Sequence, residues 1–177
     1  QMCIRDSYKH WDSQSKLGQP WALINRATAP NQDYNTWANY VGALISKKAA
    51  LSLSVNNIYD ATSRKLTIDV KAFGTDGNTT GKLQVWLIED GIVASQKMPD
   101  GSTNKEYVHN HVFRATVNDT WGDDVTVNEG KTTEKQYEYT LPEKWNAEKV
   151  SVVAFVYDNN EVQQVTKKAV FAETAAK

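Results

Sequence analysis

Residues 106–124 run Glu-Tyr-Val-His-Asn-His-Val-Phe-Arg-Ala-Thr-Val-Asn-Asp-Thr-Trp-Gly-Asp-Asp and hold two of the chain's three histidines. His109 and His111 are two apart. On an extended strand they point to one face, roughly 7 Å apart along it. Two imidazoles so placed can share a metal ion, but zinc or iron needs at least a third ligand. His10, Glu106, Asp123 and Asp124 are the candidates, none at a diagnostic spacing. Phe113, Ala115 and Val117 continue the parity of the histidines, so the competing expectation is that the pair ends a core-facing row. That structural role is favoured, because a lone His-x-His lacks the ligand set a metal motif requires. His-Asn-His also lacks the helix and basic surface of a nuclease.

Arg114 falls on the opposite parity and is expected in solvent or paired with Asp119 or Glu106. Trp121 sits in a polar stretch, and its flat ring could stack on a sugar. Tyr137 and Tyr139 share one strand face, where alternate aromatics are more often core or cross-strand pairs. Asp123 and Asp124 are adjacent, so on an extended chain they point apart. They make a poor acid/base pair and at most an unspecific calcium loop. No Gly-x-Ser-x-Gly elbow, catalytic cysteine context or glycine-rich phosphate loop is present.

The elements that must position these residues follow from periodicity. Residues 20–25, opened by Pro20, are expected as a short strand, since a proline before an apolar run can only start or edge one. Tyr34, Trp37, Val41, Leu44 and Ile45 recur at helical spacing, predicting a helix over 32–48. Asn31 or Asp33 would cap it, and Lys47 and Lys48 would sit at the negative end of its dipole. Such a stripe is usually a packing face. From Ala50 the period becomes two. Strands are expected around 51–55, 66–70, 82–88, 92–98, 106–117, 135–141, 149–157 and 161–171. Residues 82–88 are apolar enough to be buried on both faces. Glu89-Asp90-Gly91 is expected as a tight hairpin turn, with further turns at Pro99-Asp100-Gly101 and Asp158-Asn159-Asn160. Residues 118–133 form the longest expected loop, and long loops on a rigid scaffold are where function concentrates. About eight strands with turns between them predict an antiparallel β-sandwich, immunoglobulin-like or jelly-roll-like.

Composition bounds the alternatives. The chain has 177 residues, 40% hydrophobic and 23% charged, with 20 basic and 21 acidic side chains and a net charge of −1. A chain of this length buries roughly 70% of its unfolded surface and needs no staples. Without a basic block, nucleic acid and anionic membranes are poor partners. The single cysteine, Cys3, allows no internal disulfide, Cys-x-x-Cys pair or cysteine-rich zinc site. No apolar run is long enough for a transmembrane segment. Residues 1–7, Gln-Met-Cys-Ile-Arg-Asp-Ser, resemble translated adapter sequence at the edge of a metagenomic fragment. They are expected to be non-native, with the native protein continuing upstream.

Three stretches together carry a family resemblance: Gly18-Gln19-Pro20-Trp21-Ala22-Leu23-Ile24-Asn25-Arg26, Asn57 through Val70, and Tyr107 through Ala115 with Trp121-Gly122 after it. The chain resembles the C-terminal part of the outer-membrane-protein-28-related family of Gram-negative bacteria, over nearly all of residues 8–171. His109, His111, Arg114, Trp121 and Gly122 are the signature positions. The resemblance implies an exported protein, often a lipoprotein, with a thioredoxin-like region followed by a β-sandwich. Residues 8–49 would then be a truncated thioredoxin-like remnant, with Pro20 at the place of that fold's cis-proline, and 50–177 the sandwich domain. Trp21, Leu23 and Trp37 would carry exposed apolar surface there. No thiol chemistry carries over, because the redox cysteines would lie upstream.

The expected function is therefore non-enzymatic, without a cofactor. It is an outer-membrane-associated or secreted binding or structural module, adhesin-like, meeting a protein or glycan at the cell surface through residues 118–133 and 99–105. The alternatives are a carbohydrate-binding module centred on Trp121 and a metal or redox accessory domain using His109 and His111.

Overall fold

The computed structural model describes residues 22–26, 32–159 and 161–171. Cys3, His10, Pro20 and Trp21, with residues 1–7, lie outside the described residues. So do Asn31 and Asn160 of the expected helix cap and last hairpin turn.

Helix α1 spans Tyr34–Ile45, shorter than expected at both ends. Asp33 caps it by accepting from the Asn35 backbone N–H at 3.1 Å. Its apolar stripe is only partly packed: Trp37 and Leu44 are half-buried, while Tyr34, Val41 and Ile45 are exposed. The strand expected at 20–25 is absent from its described part. Ala22 makes an isolated bridge, and Asn25 and Arg26 turn with φ of 54° and 57°.

Among the described residues ten strands follow: β1 (Leu51–Asp60), β2 (Lys65–Gly74), β3 (Thr79–Glu89), β4 (Ile92–Lys97), β5 (Thr103–His109), β6 (Val112–Thr116), β7 (Asp123–Val127), β8 (Thr132–Thr140), β9 (Val150–Asp158) and β10 (Glu161–Ala169). One sheet has the order β1-β2-β8. The second has the order β10-β9-β3-β6, with β7 also on β3. Every described pairing between these strands is antiparallel. The two sheets face each other across one core, as expected of a sandwich. Leu51, Val55, Leu66, Ile68, Val70 and Ala72 come from one sheet. Leu83, Val85, Leu87, Val125, Val127, Val152 and Val156 come from the other. The period-two alternation in each strand puts these residues inward. Burial of each such valine, leucine or isoleucine side chain contributes about 1.5–3 kcal/mol.

Strand β3 is central and, as its largely apolar sequence predicts, buried on both faces. Leu83, Val85 and Leu87 face the core, while Gln84 and Ile88 are buried on the other side. It pairs with β9 along one edge and with β6 and then β7 along the other.

Three expectations fail here. Asp90-Gly91 does not close a hairpin of β3 with β4; β4 pairs with β5 instead. The strand expected over 106–117 is two strands broken at Asn110-His111, where His111 takes φ of +57°. Thus β3–β6 and β4–β5 form one long ribbon kinked at its middle. Crossed bonds hold the kink: Asp90 Oδ1 accepts from the His111 N–H, and Asn110 Oδ1 accepts from the Gly91 N–H at 3.0 Å. The loop expected over 118–133 contains β7, whose Val125 and Val127 alternate with Asp124 and Thr126 and face the core.

Candidate functional site

The signature residues separate. His111 sits in the kink, exposed, with Nδ1 3.8 Å from Asp90 and Nε2 3.4 Å from Lys167 Nζ. His109 ends β5 and lies edge-on to Tyr107, ring centroids 4.8 Å apart. The break between them removes the shared face that two-residue spacing implies. Among the described residues no three His, Cys, Asp or Glu side chains come together as a metal site.

The histidines also do not begin a core row. The register of β6 on β3 shifts between Leu87 and Ile88, leaving Arg114 as the extra residue. A bulge of this kind reverses parity. Ala115 and Val117 therefore pack on the core, while Phe113 lies edge-on to Trp86 on the opposite face of the sheet. Arg114 pairs with neither Asp119 nor Glu106. Its Nε lies 3.2 Å from Glu89 Oε2, and its guanidinium covers Trp145 at 4.8 Å from the ring centroid. The Glu89 contact is Coulombic rather than a well-directed hydrogen bond, and the other Glu89 oxygen accepts from the Asn146 N–H at 2.9 Å.

What the sequence places around Trp121 does converge. Along β3, β6 pairs as far as Trp86 and β7 begins at Leu83. The gap is filled by Asn118, whose carboxamide stands in for a strand backbone. Its Oδ1 accepts from the Val85 N–H at 3.0 Å, and its Nδ2 donates to the Leu83 carbonyl at 2.8 Å and to Asp123 at 3.1 Å. Asp119 then turns the chain by accepting from the Trp121 N–H at 2.9 Å. Gly122 must be glycine. Its φ is +83°, and a Cβ there would stand 2.5 Å from the Leu83 carbonyl oxygen. Two sheet side chains hold the loop's carbonyls: Gln84 donates to Thr120 and the Tyr157 hydroxyl donates to Trp121. Trp121 remains 37% exposed.

As their adjacency predicts, Asp123 and Asp124 point apart. Asp123 faces inward and accepts from the Tyr137 hydroxyl at 2.7 Å. Burial, with that bond to Asp123 second, pushes the Tyr137 hydroxyl well above the ordinary tyrosine range. Asp124 is exposed and pairs with Lys82 at 2.8 Å, and the same bond raises the lysine. Tyr139 stacks on Trp145 at 6.0 Å, so both tyrosines of β8 serve packing.

Arg26 is the residue that sequence patterns miss. Its Nη1 donates to Gln84 Oε1 at 2.9 Å, and its guanidinium lies over the Tyr157 ring at 3.9 Å. The available signal was Gln84, a single polar residue inside an apolar strand and only 2% exposed here. A buried carboxamide must find partners.

The second expected surface, 99–105, caps the β4–β5 ribbon. A turn closes it through Gly101 N–H to the Met98 carbonyl at 3.0 Å. No helix among the described residues is long and apolar enough to cross a membrane.

The family described as Outer membrane protein Omp28 matches residues 4–174. Among solved structures, the chain is similar to a domain of the outer membrane lipoprotein Omp28 from Porphyromonas gingivalis. That pair is 28% identical over 68% of this chain and 88% of that one, with a TM-score of 0.48. HBP35 of Porphyromonas gingivalis shares the fold at 12% identity and a TM-score of 0.71, over 97% of this chain and 60% of that one. Spo0M, a sporulation control protein from Bacillus subtilis, is 12% identical over 70% of this chain and 49% of its own, with a TM-score of 0.52. No curated protein matches the chain. Omp28 is a family of outer membrane proteins and not a known enzyme family, and it places the chain at the outer membrane of the cell envelope. With nearly its whole length matched, the chain belongs to the Omp28 family.

Proposed function

We propose that this chain is an adhesin-like binding module of the outer membrane, meeting a protein or glycan at the cell surface through Asn118–Asp124. One observation supports this above the rest. Trp121 is 37% exposed, while the backbone around it is fixed to the sheet by Asn118, Asp119, Gln84 and Tyr157. An aromatic side chain presented on a pre-ordered loop loses little entropy on binding and makes an effective anchor. Asp124 beside it supplies a charge at the rim.

The tip at 99–105 would be a separate surface. It lies about seven strand residues beyond the kink, roughly 23 Å along the ribbon. We also place residues 8–49 as the tail of a thioredoxin-like region and 50–177 as the sandwich domain. The change from α1 to β1 at Leu51 supports that division.

The test is Trp121→Ala, with a second protein in which 119–121 is replaced by glycine and serine while Asn118, Gly122 and β7 are retained. Both are assayed for adherence to host cells and matrix and on a glycan array. Loss of binding with an unchanged circular dichroism spectrum is expected. Undiminished binding by both variants would sink the proposal, and an array signal that depends on Trp121 would identify the partner as a glycan.

A further inference from the structure

Beyond the kink, β4 and β5 form a two-stranded ribbon that, among the described strands and helix, makes substantial contacts only within itself. Both faces meet solvent. Val93 and Val108, directly opposed across the pair, are 61% and 52% exposed. A lone two-stranded ribbon is marginal in water and gains stability from added strands.

Its two edges differ. On β5, Lys105 and Glu106 together oppose Ser95, so this edge is bulged. The Glu106 N–H is also taken by Asn104 Oδ1 at 2.9 Å. Bulges and charges are the usual devices that stop an edge from pairing. The other edge, Ile92 to Gln96 of β4, has no proline, charge or bulge of its own, and no other described strand pairs with it.

That edge is also self-complementary. If two copies of β4 run antiparallel about a two-fold through Ala94, Ile92 faces Gln96 of the second copy and Val93 faces its Ser95. No like charges are opposed. Lys97 falls at the far end, opposite Gly91 of the second copy, and this happens at both ends. We propose that the chain self-associates through the outer edge of β4, forming a four-stranded sheet in the order β5-β4-β4-β5 across a two-fold axis. Six-residue edges bury less than the roughly 1,200 Å² of a stable interface, so the dimer is weak and depends on concentration.

Sedimentation equilibrium of the full chain over a wide concentration range tests this. The weight-average mass should climb from that of the monomer toward twice that value. Ala94→Lys sets two lysines against each other across the axis and should weaken the dimer about tenfold. Ala94→Cys in a Cys3→Ser background should form one intermolecular disulfide on mild oxidation, because opposed residues on antiparallel strands lie within disulfide reach. Three results would overturn the proposal: a wild-type mass that stays monomeric throughout, a dimer that Ala94→Lys leaves intact, or a ribbon that captures an extended peptide from another protein without self-associating. Since Ala94 is exposed and remote from the core, an unchanged melting temperature confirms that each variant is folded.

Discussion

The guanidinium of Arg26 lies over the ring of Tyr157, 3.9 Å from its centroid, and the same tyrosine's hydroxyl donates to the carbonyl of Trp121. Gln84 repeats this arrangement, accepting from Arg26 and donating to Thr120. Two side chains of the sheet thus each touch Arg26 on one side and the loop on the other. The loop's position depends on a residue nearly a hundred positions away.

Removing Arg26 should therefore be felt at Trp121. Arg26→Ala loses a stacked cation and one hydrogen bond, together about 1–2 kcal/mol. Hydrogen exchange at the Trp121 and Gly122 amides should speed up more than exchange in β1 and β2. Arg26→Lys keeps the charge but not the planar fork, so it should restore only part of the protection. Equal loss of protection in both sheets would mean that Arg26 acts only on global stability.

Tyr137 gives the fold an alkaline limit. Its hydroxyl is held above the ordinary range by burial and by Asp123, so the folded state keeps a proton that the unfolded chain releases. The stabilisation is complete below pH ~10 and declines as pH rises past that value, because only the unfolded state then ionises. Tyr137→Phe should cost about 1 kcal/mol at neutral pH, reduced by partial exposure. It should also flatten the decline in urea midpoint between pH ~9 and ~11. An unchanged slope would assign the limit to other groups.

Glu89 is buried at 6% exposure, and its charge is met by Arg114. Breaking such a pair on one side leaves an uncompensated buried charge. Arg114→Ala should cost about 3 kcal/mol in chemical denaturation, and it also uncovers Trp145. Glu89→Gln, which keeps the shape and removes the charge, should cost about 1 kcal/mol. If the two costs are equal, the ion pair contributes nothing beyond packing.

The sandwich was legible because alternation survives in the sequence wherever one face of a strand is buried. Leu51, Leu53 and Val55, then Leu66, Ile68 and Val70, announce their strands without help. The ribbon was not legible. Exposed strands need no alternation, so Ile92–Lys97 and Thr103–His109 carry no pattern that tells β4 to pair with β5 rather than β3. The break at Asn110-His111 was hidden for another reason. Positive φ is uncommon outside glycine, and at His111 it is accompanied by crossed side-chain bonds from Asp90 and Asn110 that no local pattern announces. At the candidate site, the place of Trp121 could be anticipated from its polar surroundings. Its supports could not. Asn118 imitates a strand backbone, and Arg26 arrives from a distant turn, neither of which leaves a local signature. The parity of Phe113 failed for a similar reason, since one bulged residue at Arg114 reverses every face before it.

Gly122 offers the sharpest test of the loop's construction. Alanine there meets two penalties at once: a backbone at φ +83° and a Cβ 2.5 Å from the Leu83 carbonyl oxygen. Left-handed strain alone costs about 1–3 kcal/mol. The second contact is with the backbone of the central strand, which cannot yield without disturbing the pairing of β3 with β7. Gly122→Ala should lower stability by about 3 kcal/mol. It should also release Trp121, seen as a red shift in tryptophan emission, although the substitution touches neither the indole nor the core. Gly101→Ala, at the open tip of the ribbon with φ +84° and no atom within 4 Å of its Cβ, isolates the strain from the clash. It should cost about 1 kcal/mol. If the two alanine variants were equally stable, the close approach of Gly122 to β3 would not hold the loop, and the pre-ordered presentation of Trp121 would lose its physical basis.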